Sequence, residues 1–298
     1  MQTLSGFIRA SASLVLYTLN TVFWCIPLFA LATAKAAVPV ASWRRRCSRM
    51  LNRVAENWIW VNNQNQKLTA GNIQWDVQGL ESLKRSEWYL VLANHQSWAD
   101  ILVLQRIFHR KIPFLKFFVK KELFWFPFLG QAWWALDFPF VKRYTQNFLQ
   151  KKPHLRGKDL DATRKACRKF KKIPVSIMNF VEGTRFTIEK QHVQKSPYAY
   201  LLKPKAGGIA FVLNSLEEQL NRVLDVTIVY PDGAANFWAF LSGKIRRIKV
   251  RVRSLPVHRD LFGDYTHDGY FRSGLQRWLN EVWAEKNRFI HETITYPA

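Results

Sequence analysis

Residues 88–100 read WYLVLANHQSWAD, and the predicted fold class follows from them. Residues 88–93 are a short run of bulky and β-branched side chains without a helical period, which predicts a buried strand. Ser97 lies three residues before Asp100, and the apolar residues that follow predict a helix with Ser97 as its cap. The stretch therefore predicts a strand, a turn that carries His95 and then a helix, as in an open α/β sheet.

His95 is predicted to lie beyond the carboxyl end of a strand, where ligands bind in open α/β sheets. Five positions separate it from Asp100, so the two would lie on different faces of a continuous helix. They can meet only if His95 precedes the helix and curls back over its first turn. Asp100 would then accept a hydrogen bond from one ring nitrogen and leave the other as a base.

Two other interpretations of Asp100 stay open at this point. In a simple capping box, its carboxylate would bond only a backbone amide at the start of the helix. In a metal site, His95 and Asp100 would be ligands, although one His and one Asp fall short of the usual ligand count.

The composition favours anionic partners and an apolar interface. The 298 residues are 48% hydrophobic, which is ample for a core, and 15% aromatic with thirteen Trp, a type favoured where one side is apolar and the other wet. The net charge of +24 indicates a phospholipid surface, a phosphorylated substrate or nucleic acid. The three cysteines, Cys25, Cys47 and Cys167, suggest no disulfide framework, which agrees with a reducing cytoplasmic compartment.

The N-terminal region predicts a membrane segment. No charged residue lies between Arg9 and Lys35, a stretch long enough to cross a bilayer core of roughly 30 Å. Asn20 and Pro27 interrupt it, so we predict either a membrane helix or a helical hairpin. Five arginines follow within residues 44–53, and the positive-inside rule then places the bulk of the chain in the cytoplasm.

A cleaved signal peptide is the alternative, because residues 32–34 (Ala-Thr-Ala) have the form of a cleavage site. Beyond it, apolar residues at spacings of three and four predict an amphipathic helix over residues 43–61, which could lie on anionic headgroups or pack on the domain. The tract NNQNQK then marks the passage into the globular part. We predict two domains: an anchor with its amphipathic helix over residues 1–66, and a cytoplasmic domain over residues 67–298.

The rest of the chain alternates strand-like and helix-like segments. The predicted fold class is α/β, with a mostly parallel mixed sheet flanked by helices. Further strands are predicted at residues 73–77, 114–119, 136–141, 175–181, 226–230 and 248–252, and further helices at residues 159–172, 207–216 and 270–283.

Three predicted strands finish in a polar or cationic cluster: Asn94-His95, Lys142-Arg143 and residues 182–185. Because the carboxyl ends of parallel strands meet at one edge, these clusters would place a base beside phosphate-binding cations. Arginine has a planar fork suited to phosphate, and Gly183 lets backbone amides come close to an anion.

These motifs resemble those of the PlsC-like glycerolipid acyltransferases, the 1-acylglycerol-3-phosphate acyltransferase family. Asn94-His95 with Asp100 resembles the family's NHx4D motif, and FVEGTR at residues 180–185 resembles its FPEGTR block. Residues 120–143 are similar to the block between these two. Lys203-Pro204-Lys205-Ala206-Gly207-Gly208 and Val229-Tyr230-Pro231 fall where its later segments would.

The resemblance covers roughly residues 73–235. The FVEGTRFT block and the hydrophobic N-terminal segment are most similar to the bacterial YihG-type branch and to eukaryotic lysophospholipid acyltransferases. Val181 replaces the usual proline and Phe186 a common small residue, and both changes bear on the identity of the acyl acceptor.

The resemblance implies the glycerolipid acyltransferase fold and transfer of a fatty acyl group from a thioester to 1-acylglycerol-3-phosphate, giving phosphatidic acid. His95 would take the proton of the acceptor hydroxyl, and Asp100 would orient His95. The donor would be acyl-CoA or acylated acyl carrier protein, and the reaction would use no cofactor and no metal. The implied substrate-binding residues are Arg143, Glu182, Gly183, Thr184, Arg185 and, more weakly, Lys205.

The expected partners are a lysophospholipid acceptor, the acyl donor and an anionic bilayer, and the expected location is the bacterial inner membrane with the catalytic domain in the cytoplasm. One alternative is a different acceptor headgroup, such as lysophosphatidylglycerol or lysophosphatidylinositol. Another is a membrane-tethered binding protein without catalysis, which the basic strand near residues 247–253 permits. Nucleic acid is not expected, because the sequence has no helix-turn-helix, zinc-finger or ribonucleoprotein motif.

Overall fold

A six-stranded sheet forms the centre of the protein. The structure, a computed structural model, describes residues 2–141, 170, 173–216, 219–233 and 236–296. Within these ranges the strands are β1 Gln74–Gln78, β2 Trp88–Ala93, β3 Leu115–Phe117, β4 Val119–Lys120, β5 Phe140–Val141, β6 Ser176–Phe180, β7 Leu220–Val229 and β8 Arg247–Leu255.

Helices cover both faces of this sheet. The α-helices in the described ranges are α1 Gln2–Ala37, α2 Ala41–Thr69, α3 Ala99–Phe108, α4 Leu129–Ala135, α5 Ile188–Val193, α6 Gly207–Leu216, α7 Phe237–Leu241 and α8 Gly269–Thr295. Side chains of α1, α3 and α7 pack on one face, and side chains of α6 and α8 pack on the other. The α/β class is therefore confirmed.

The strand order is β1-β8-β7-β2-β6-β3. The four neighbours β7, β2, β6 and β3 run parallel, whereas β8 is antiparallel to β7 and parallel to β1. The prediction of a mostly parallel mixed sheet is confirmed. The carboxyl ends of β7, β2 and β6 consequently lie side by side at one edge.

Strand β2 is buried on both faces. Tyr89, Val91 and Ala93 belong to the cluster beneath α3, and Leu90 and Leu92 belong to the cluster beneath α6 and α8. Successive side chains of a strand point to opposite faces, and a sheet covered on both sides needs an unbroken apolar strand. This is why residues 88–93 form the strand that the sequence predicts.

Helix α1 is continuous through Asn20 and Pro27, so neither residue divides it. The amide Nδ2 of Asn20 donates to the carbonyl of Trp58 (3.0 Å) and to Oδ1 of Asn62 (2.8 Å), both on α2. Helix α2 therefore folds back along α1. The tract NNQNQK lies inside α2, where Asn62 and Asn65 bond to residues of α1.

Part of α1, Leu4–Ala37, is long and apolar enough to cross a membrane, and only 11% of its most apolar stretch is buried in the protein. This exposed apolar helix indicates that the protein associates with a membrane. Its inner side chains share hydrophobic clusters with later parts of the chain: Ala10 packs with β2 and α3, and Cys25 packs with Leu51 and Phe114. The division at residues 66 and 67 stays a prediction.

Two predicted strands differ from the structure. Residues 114–119 form two short strands, because β3 pairs with β6 whereas β4 pairs with β5 in a separate two-stranded sheet. Residues 136–141 contribute only β5, since Leu136 and Phe138 instead pack into the cluster between α1, α2 and α4. The predicted helix at residues 159–172 falls almost entirely outside the described residues.

A buried ionic cluster ties the last elements to the sheet centre. Lys286 of α8 and Asp225 of β7 are both fully buried, and Nζ of Lys286 lies 2.6 Å from Oδ1 of Asp225. Arg253 of β8 donates from Nε (3.0 Å) and from a terminal nitrogen (2.8 Å) to the other carboxylate oxygen. Because buried charges are retained only when they are paired, β8 and α8 are an integral part of this core.

Candidate active site

The turn after β2 is fixed to the neighbouring strand by Asn94. Its side chain is fully buried, its Nδ2 donates to the carbonyl of Ile228 (2.9 Å), and its Oδ1 accepts from the Ile228 amide (2.8 Å). The amide therefore replaces the ladder bonds that end with β2. It holds the next residue, His95, at the carboxyl edge of the sheet.

His95 and Asp100 meet as the sequence predicts. Nδ1 of His95 lies 2.8 Å from Oδ2 of Asp100, which is fully buried in the first turn of α3. The same oxygen accepts the backbone N–H groups of Gln96 (2.7 Å) and Ser97 (2.8 Å). One carboxylate therefore binds backbone amides before α3 and also contacts the imidazole, so Asp100 is more than a capping residue.

The predicted start of α3 at Ser97 is wrong by one residue. The helix begins at Ala99, and Trp98, in the capping position, already has helical dihedral angles without a side-chain cap bond. The Oγ of Ser97 accepts the N–H of Ala99 (3.1 Å), so the serine still satisfies an amide of the first turn. The carboxylate of Asp100 accepts the N–H groups of Gln96 and Ser97, in the turn that leads into the helix.

Tyr230, which directly follows β7, completes the environment of Asp100. Its buried hydroxyl donates to Oδ1 of Asp100 (2.7 Å). Burial and the neighbouring carboxylate raise the pKa of Tyr230 well above its ordinary value, so it remains a neutral donor. Because Asp100 only accepts, Nδ1 of His95 carries the ring proton and Nε2 is left as the basic nitrogen.

Tyr230 is a residue of the site that the sequence did not reveal. The signal that could have found it is its position at the end of a buried strand, next to the end of the strand that carries His95. Its partner Asp100 is 130 residues away in the sequence, so no local spacing reveals the contact.

The ring of His95 is held on its other side by β6. It stacks on Phe180 with the ring centroids 3.8 Å apart and the planes 11° from parallel. The backbone carbonyl of His95 accepts the N–H of Phe186 (2.7 Å). The side chain is 12% exposed, so one edge of the imidazole remains accessible.

Glu182 binds the protein's own backbone. It is fully buried, and its two oxygens accept the N–H groups of His95 (3.2 Å) and Leu202 (2.9 Å). It is absent from the lining of the cavity beside His95, and its role in shaping the acceptor pocket stays a prediction. Burial raises the pKa of Glu182 to about 8, partly opposed by these two hydrogen bonds.

Replacing Glu182 with glutamine should flatten the dependence of stability on pH. The folded protein holds a proton on this carboxyl up to a pKa of about 8, whereas the ordinary value is 4.5. The stability that this proton contributes is complete below pH 4.5 and is lost as the pH rises through about 8. Glutamine cannot ionise, so the stability of Glu182→Gln should lack this dependence on pH.

Thermal unfolding midpoints of the detergent-solubilised protein, measured from about pH 5 to about pH 9, test this expectation. The matched control is Glu281→Gln, at an exposed glutamate of α8, which should keep the wild-type slope. An equal slope in Glu182→Gln and wild type would show that Glu182 does not carry a proton in the folded state.

A cavity of about 990 Å³ opens beside His95. Its polar lining includes His95, Arg185, Thr184 and Lys120, and most of its wall is apolar. The apolar lining comes from α1, α3, β3 and β6 and includes Leu14, Tyr17, Leu102, Phe117, Met178 and Phe180. The cavity therefore combines one basic nitrogen, cations and a long apolar wall.

Three predicted binding residues line this cavity: Gly183, Thr184 and Arg185. Gly183 has φ +73°, which favours glycine at this turn. The guanidinium of Arg185 lies 4.6 Å from the ring centre of Trp98, and the hydroxyl of Thr184 accepts from Nζ of Lys190 (2.9 Å).

The other two predicted cations are placed differently. Lys205 is exposed and is absent from the cavity lining in the described part of the chain, while its backbone N–H donates to the carbonyl of Val181 (3.1 Å). The prediction that Lys205 contacts the acceptor is therefore not supported by its position. Arg143 lies outside the described residues. Among the residues that the structure describes, no three His, Cys, Asp or Glu side chains are grouped to hold a metal ion.

Comparison with known proteins gives one family. The family model described as "Acyltransferase" matches residues 74–231, which include β2, α3, β6 and β7. Lysocardiolipin acyltransferase 1 of Danio rerio is 30% identical over 138 residues, 41% of this chain and 33% of that protein. The 1-acyl-sn-glycerol-3-phosphate acyltransferase gamma of Mus musculus is 24% identical over 214 residues, 67% of this chain and 52% of that protein.

A solved structure has the same fold. The crystal structure of the 1-acyl-sn-glycerophosphate acyltransferase PlsC from Thermotoga maritima matches with a TM-score of 0.57 and 16% identity, and 98% of each chain is covered. This chain spans about a third to about half the length of the two curated relatives described above.

Proposed function

The chain belongs to the acyltransferase family, and on that premise we propose that it transfers a fatty acyl group from an acyl thioester to the free hydroxyl of 1-acylglycerol-3-phosphate. The product would be phosphatidic acid, a precursor of phospholipids. The relatives named 1-acyl-sn-glycerol-3-phosphate acyltransferases support this acceptor.

The observation that carries the proposal is the orientation of His95. Its Nδ1 is bound to the buried carboxylate of Asp100, so Nε2 is the nitrogen available beside a cavity that also contains Arg185. A base, a cation and an apolar wall are what the reaction of a phosphorylated lipid with an acyl chain needs.

In the proposed reaction Nε2 of His95 removes the proton of the acceptor hydroxyl as the oxygen attacks the thioester carbonyl. The carboxylate of Asp100 stabilises the imidazolium that forms, and Tyr230 holds the carboxylate in place. When the carbon–sulfur bond breaks, the thiolate leaves and takes the proton from the imidazolium. The hydroxyl attacks directly, so the reaction needs neither an acyl-enzyme nor a cofactor.

The cationic and the apolar lining of the cavity fit the phosphate and the acyl chain of the substrates. Arg185 can bind the phosphate of the acceptor with its planar fork, and Gly183 permits close approach of an anion beside it. The apolar side chains from α1, α3 and β3 can bury an acyl chain. The donor would be acyl-CoA or acyl carrier protein.

The exposed apolar face of α1 supports catalysis at a membrane, where both acceptor and product reside. We place the protein at the bacterial inner membrane with the catalytic domain in the cytoplasm, as the arginines that follow α1 favour. The net charge of +24 would draw this domain to anionic headgroups. The FVEGTRFT block supports membership of the YihG-type branch.

A second acceptor class is favoured by one comparison. The relative with 30% identity is named a lysocardiolipin acyltransferase, so an acceptor with another phosphorylated headgroup is the alternative. A panel of lysophospholipids assayed with one radiolabelled acyl-CoA separates the two, since the preferred acceptor will show the highest kcat/KM. A binding protein without catalysis is disfavoured, because it would have no use for a carboxylate-oriented imidazole.

Arg185→Ala is expected to weaken binding of the phosphorylated acceptor. Loss of a charge-assisted hydrogen bond costs roughly 1.5–3 kcal/mol, which corresponds to an increase in KM of roughly 10- to 100-fold with a smaller change in kcat. Steady-state kinetics of the purified protein with 1-acylglycerol-3-phosphate measure both constants.

The control is Lys205→Ala, which removes another exposed cation of the predicted binding set that lies away from the cavity lining. We expect its KM to stay close to that of the wild type. Unchanged kinetics in Arg185→Ala, or an equal loss in the two variants, would contradict phosphate binding by Arg185.

A further inference from the structure

A short segment beside the cavity exposes several large apolar side chains. Residues 123–128, here called the aromatic loop, follow β4 and form the end of a 3-10 helix and the turn before α4. Leu123, Trp125, Phe126 and Phe128 are each 40% or more exposed, and Trp125 reaches 79%. Contiguous apolar side chains that are this exposed to water mark an interaction surface.

The aromatic loop is a preformed projection. The N–H of Phe126 donates to the carbonyl of Leu123 (3.1 Å), and the amide of Gln131 donates to the carbonyl of Phe124 (2.9 Å). A Cβ atom on Gly130 would lie 2.1 Å from that same carbonyl oxygen, so the chain can pack this closely only at glycine. Backbone groups with internal partners are what a segment needs to enter an apolar medium.

Phe128 is held in a rare conformation that keeps its ring outward. Its backbone has φ +61° and ψ −53°, and the N–H of Leu129 donates across it to the carbonyl of Pro127 (2.7 Å). This is the geometry of the strained γ-turn. Strain of this kind persists only where the surrounding structure fixes it, so the exposed ring is part of the fold.

The aromatic loop and α1 border the same opening. Leu123, Phe126 and Phe128 of the aromatic loop and Leu14 and Val22 of α1 all line the cavity of His95. These five side chains are also all at least 40% exposed. The exposed apolar surface of the membrane-associated helix and that of the aromatic loop therefore meet at this cavity.

The charges at the border of this surface fit an anionic interface. Lys120 and Lys121 precede the aromatic loop and are exposed, against the single carboxylate of Glu122. Arg185, also in the cavity lining, is exposed, and its guanidinium lies over the ring of Trp98. Aromatic side chains beside cations are the pattern found at the headgroup level of a bilayer.

We propose that the aromatic loop is a second membrane contact, which inserts into the headgroup region beside α1 so that the cavity of His95 opens directly onto lipid. The occupant is the surface of an anionic bilayer. A lipid substrate would then enter the cavity sideways, between Phe126 and α1, without passing through water. The proposal extends the proposed function, and its test needs no catalytic readout.

The test uses full-length protein whose three native cysteines are replaced by alanine. An environment-sensitive nitrobenzoxadiazole label is attached at Trp125→Cys or, as the matched control, at Tyr270→Cys. Tyr270 is an aromatic residue that is 91% exposed on α8, which packs on the opposite face of the sheet from α1. The proteins are reconstituted in vesicles of phosphatidylethanolamine and phosphatidylglycerol.

We expect the label at residue 125 to emit at shorter wavelength, to be quenched severalfold more by headgroup-level nitroxide lipids, and to be severalfold less accessible to iodide than the label at residue 270. Equal iodide accessibility at the two positions would overturn the proposal. Protection from iodide without quenching by nitroxide lipids would also overturn it and indicate a protein partner or a second copy. A label at Phe126→Cys repeats the measurement at an independent site.

Discussion

His95→Ala is expected to lower the rate of acyl transfer by about 10²- to 10⁴-fold, the range that a positioned general base contributes. The variant removes the nitrogen that faces the cavity and leaves the donors from Gln96, Ser97 and Tyr230 on Asp100 in place. The fold and membrane association should therefore persist. Acyltransferase assays on membranes from a strain that lacks the endogenous activity measure the effect.

A second histidine provides a matched control. Nδ1 of His267 lies 2.8 Å from Oδ2 of Asp264, the same separation as in the His95 pair, but both side chains are exposed at the surface. His267→Ala should retain wild-type activity. Substantial activity in His95→Ala, with the protein folded and membrane-bound, would rule out His95 as the base.

Asp100→Asn is expected to reduce kcat by roughly 10²- to 10⁴-fold with little change in KM for the acceptor. The asparagine oxygen would keep accepting the N–H groups of Gln96 and Ser97, with Nδ2 turned to the hydroxyl of Tyr230, so His95 loses the negative charge that stabilises its imidazolium. The substrate-binding side of the cavity is untouched, because Asp100 is buried behind the imidazole.

Thermal unfolding of Asp100→Asn separates this effect from loss of the helix cap. A lower melting temperature with unchanged kcat would mean that Asp100 serves only the start of α3. Asp264→Asn is the control at the surface pair and should change neither quantity. We expect a fall in kcat that persists well below the melting temperature of the variant.

The contact between His95 and Asp100 could be predicted from the sequence because its parts are local. Residues 88–100 contain the strand, the turn and the first turn of the helix, so the spacing of His95 and Asp100 determines whether they can meet. Tyr230 and Leu202, which hold Asp100 and Glu182 from distant parts of the chain, could not be predicted in this way. Such contacts depend on the order of strands in the sheet.

Which polar side chains are buried could not be predicted from the sequence. Glu182 belongs to a polar cluster in the sequence, and polar residues at strand ends are usually solvated, yet its carboxyl turns inward to backbone amides. Lys205 contacts this part of the chain only through its backbone N–H, which donates to the carbonyl of Val181 after β6. The helical conformation of the NNQNQK tract could not be predicted, because Asn62 and Asn65 bond to α1, a helix whose sequence is typical of a lipid-facing segment.

The strand order limits how far the chain can be shortened without loss of its sheet. Strand β1 pairs with β8 alone among the described strands, and β8 begins at Arg247, after the family-matched segment ends at residue 231. A fragment trimmed to that segment would carry β1 without its neighbour and Asp225 without Lys286 and Arg253. The family-matched segment therefore cannot be transferred to another protein by itself. A graft or a minimal fragment would have to include the chain as far as α8.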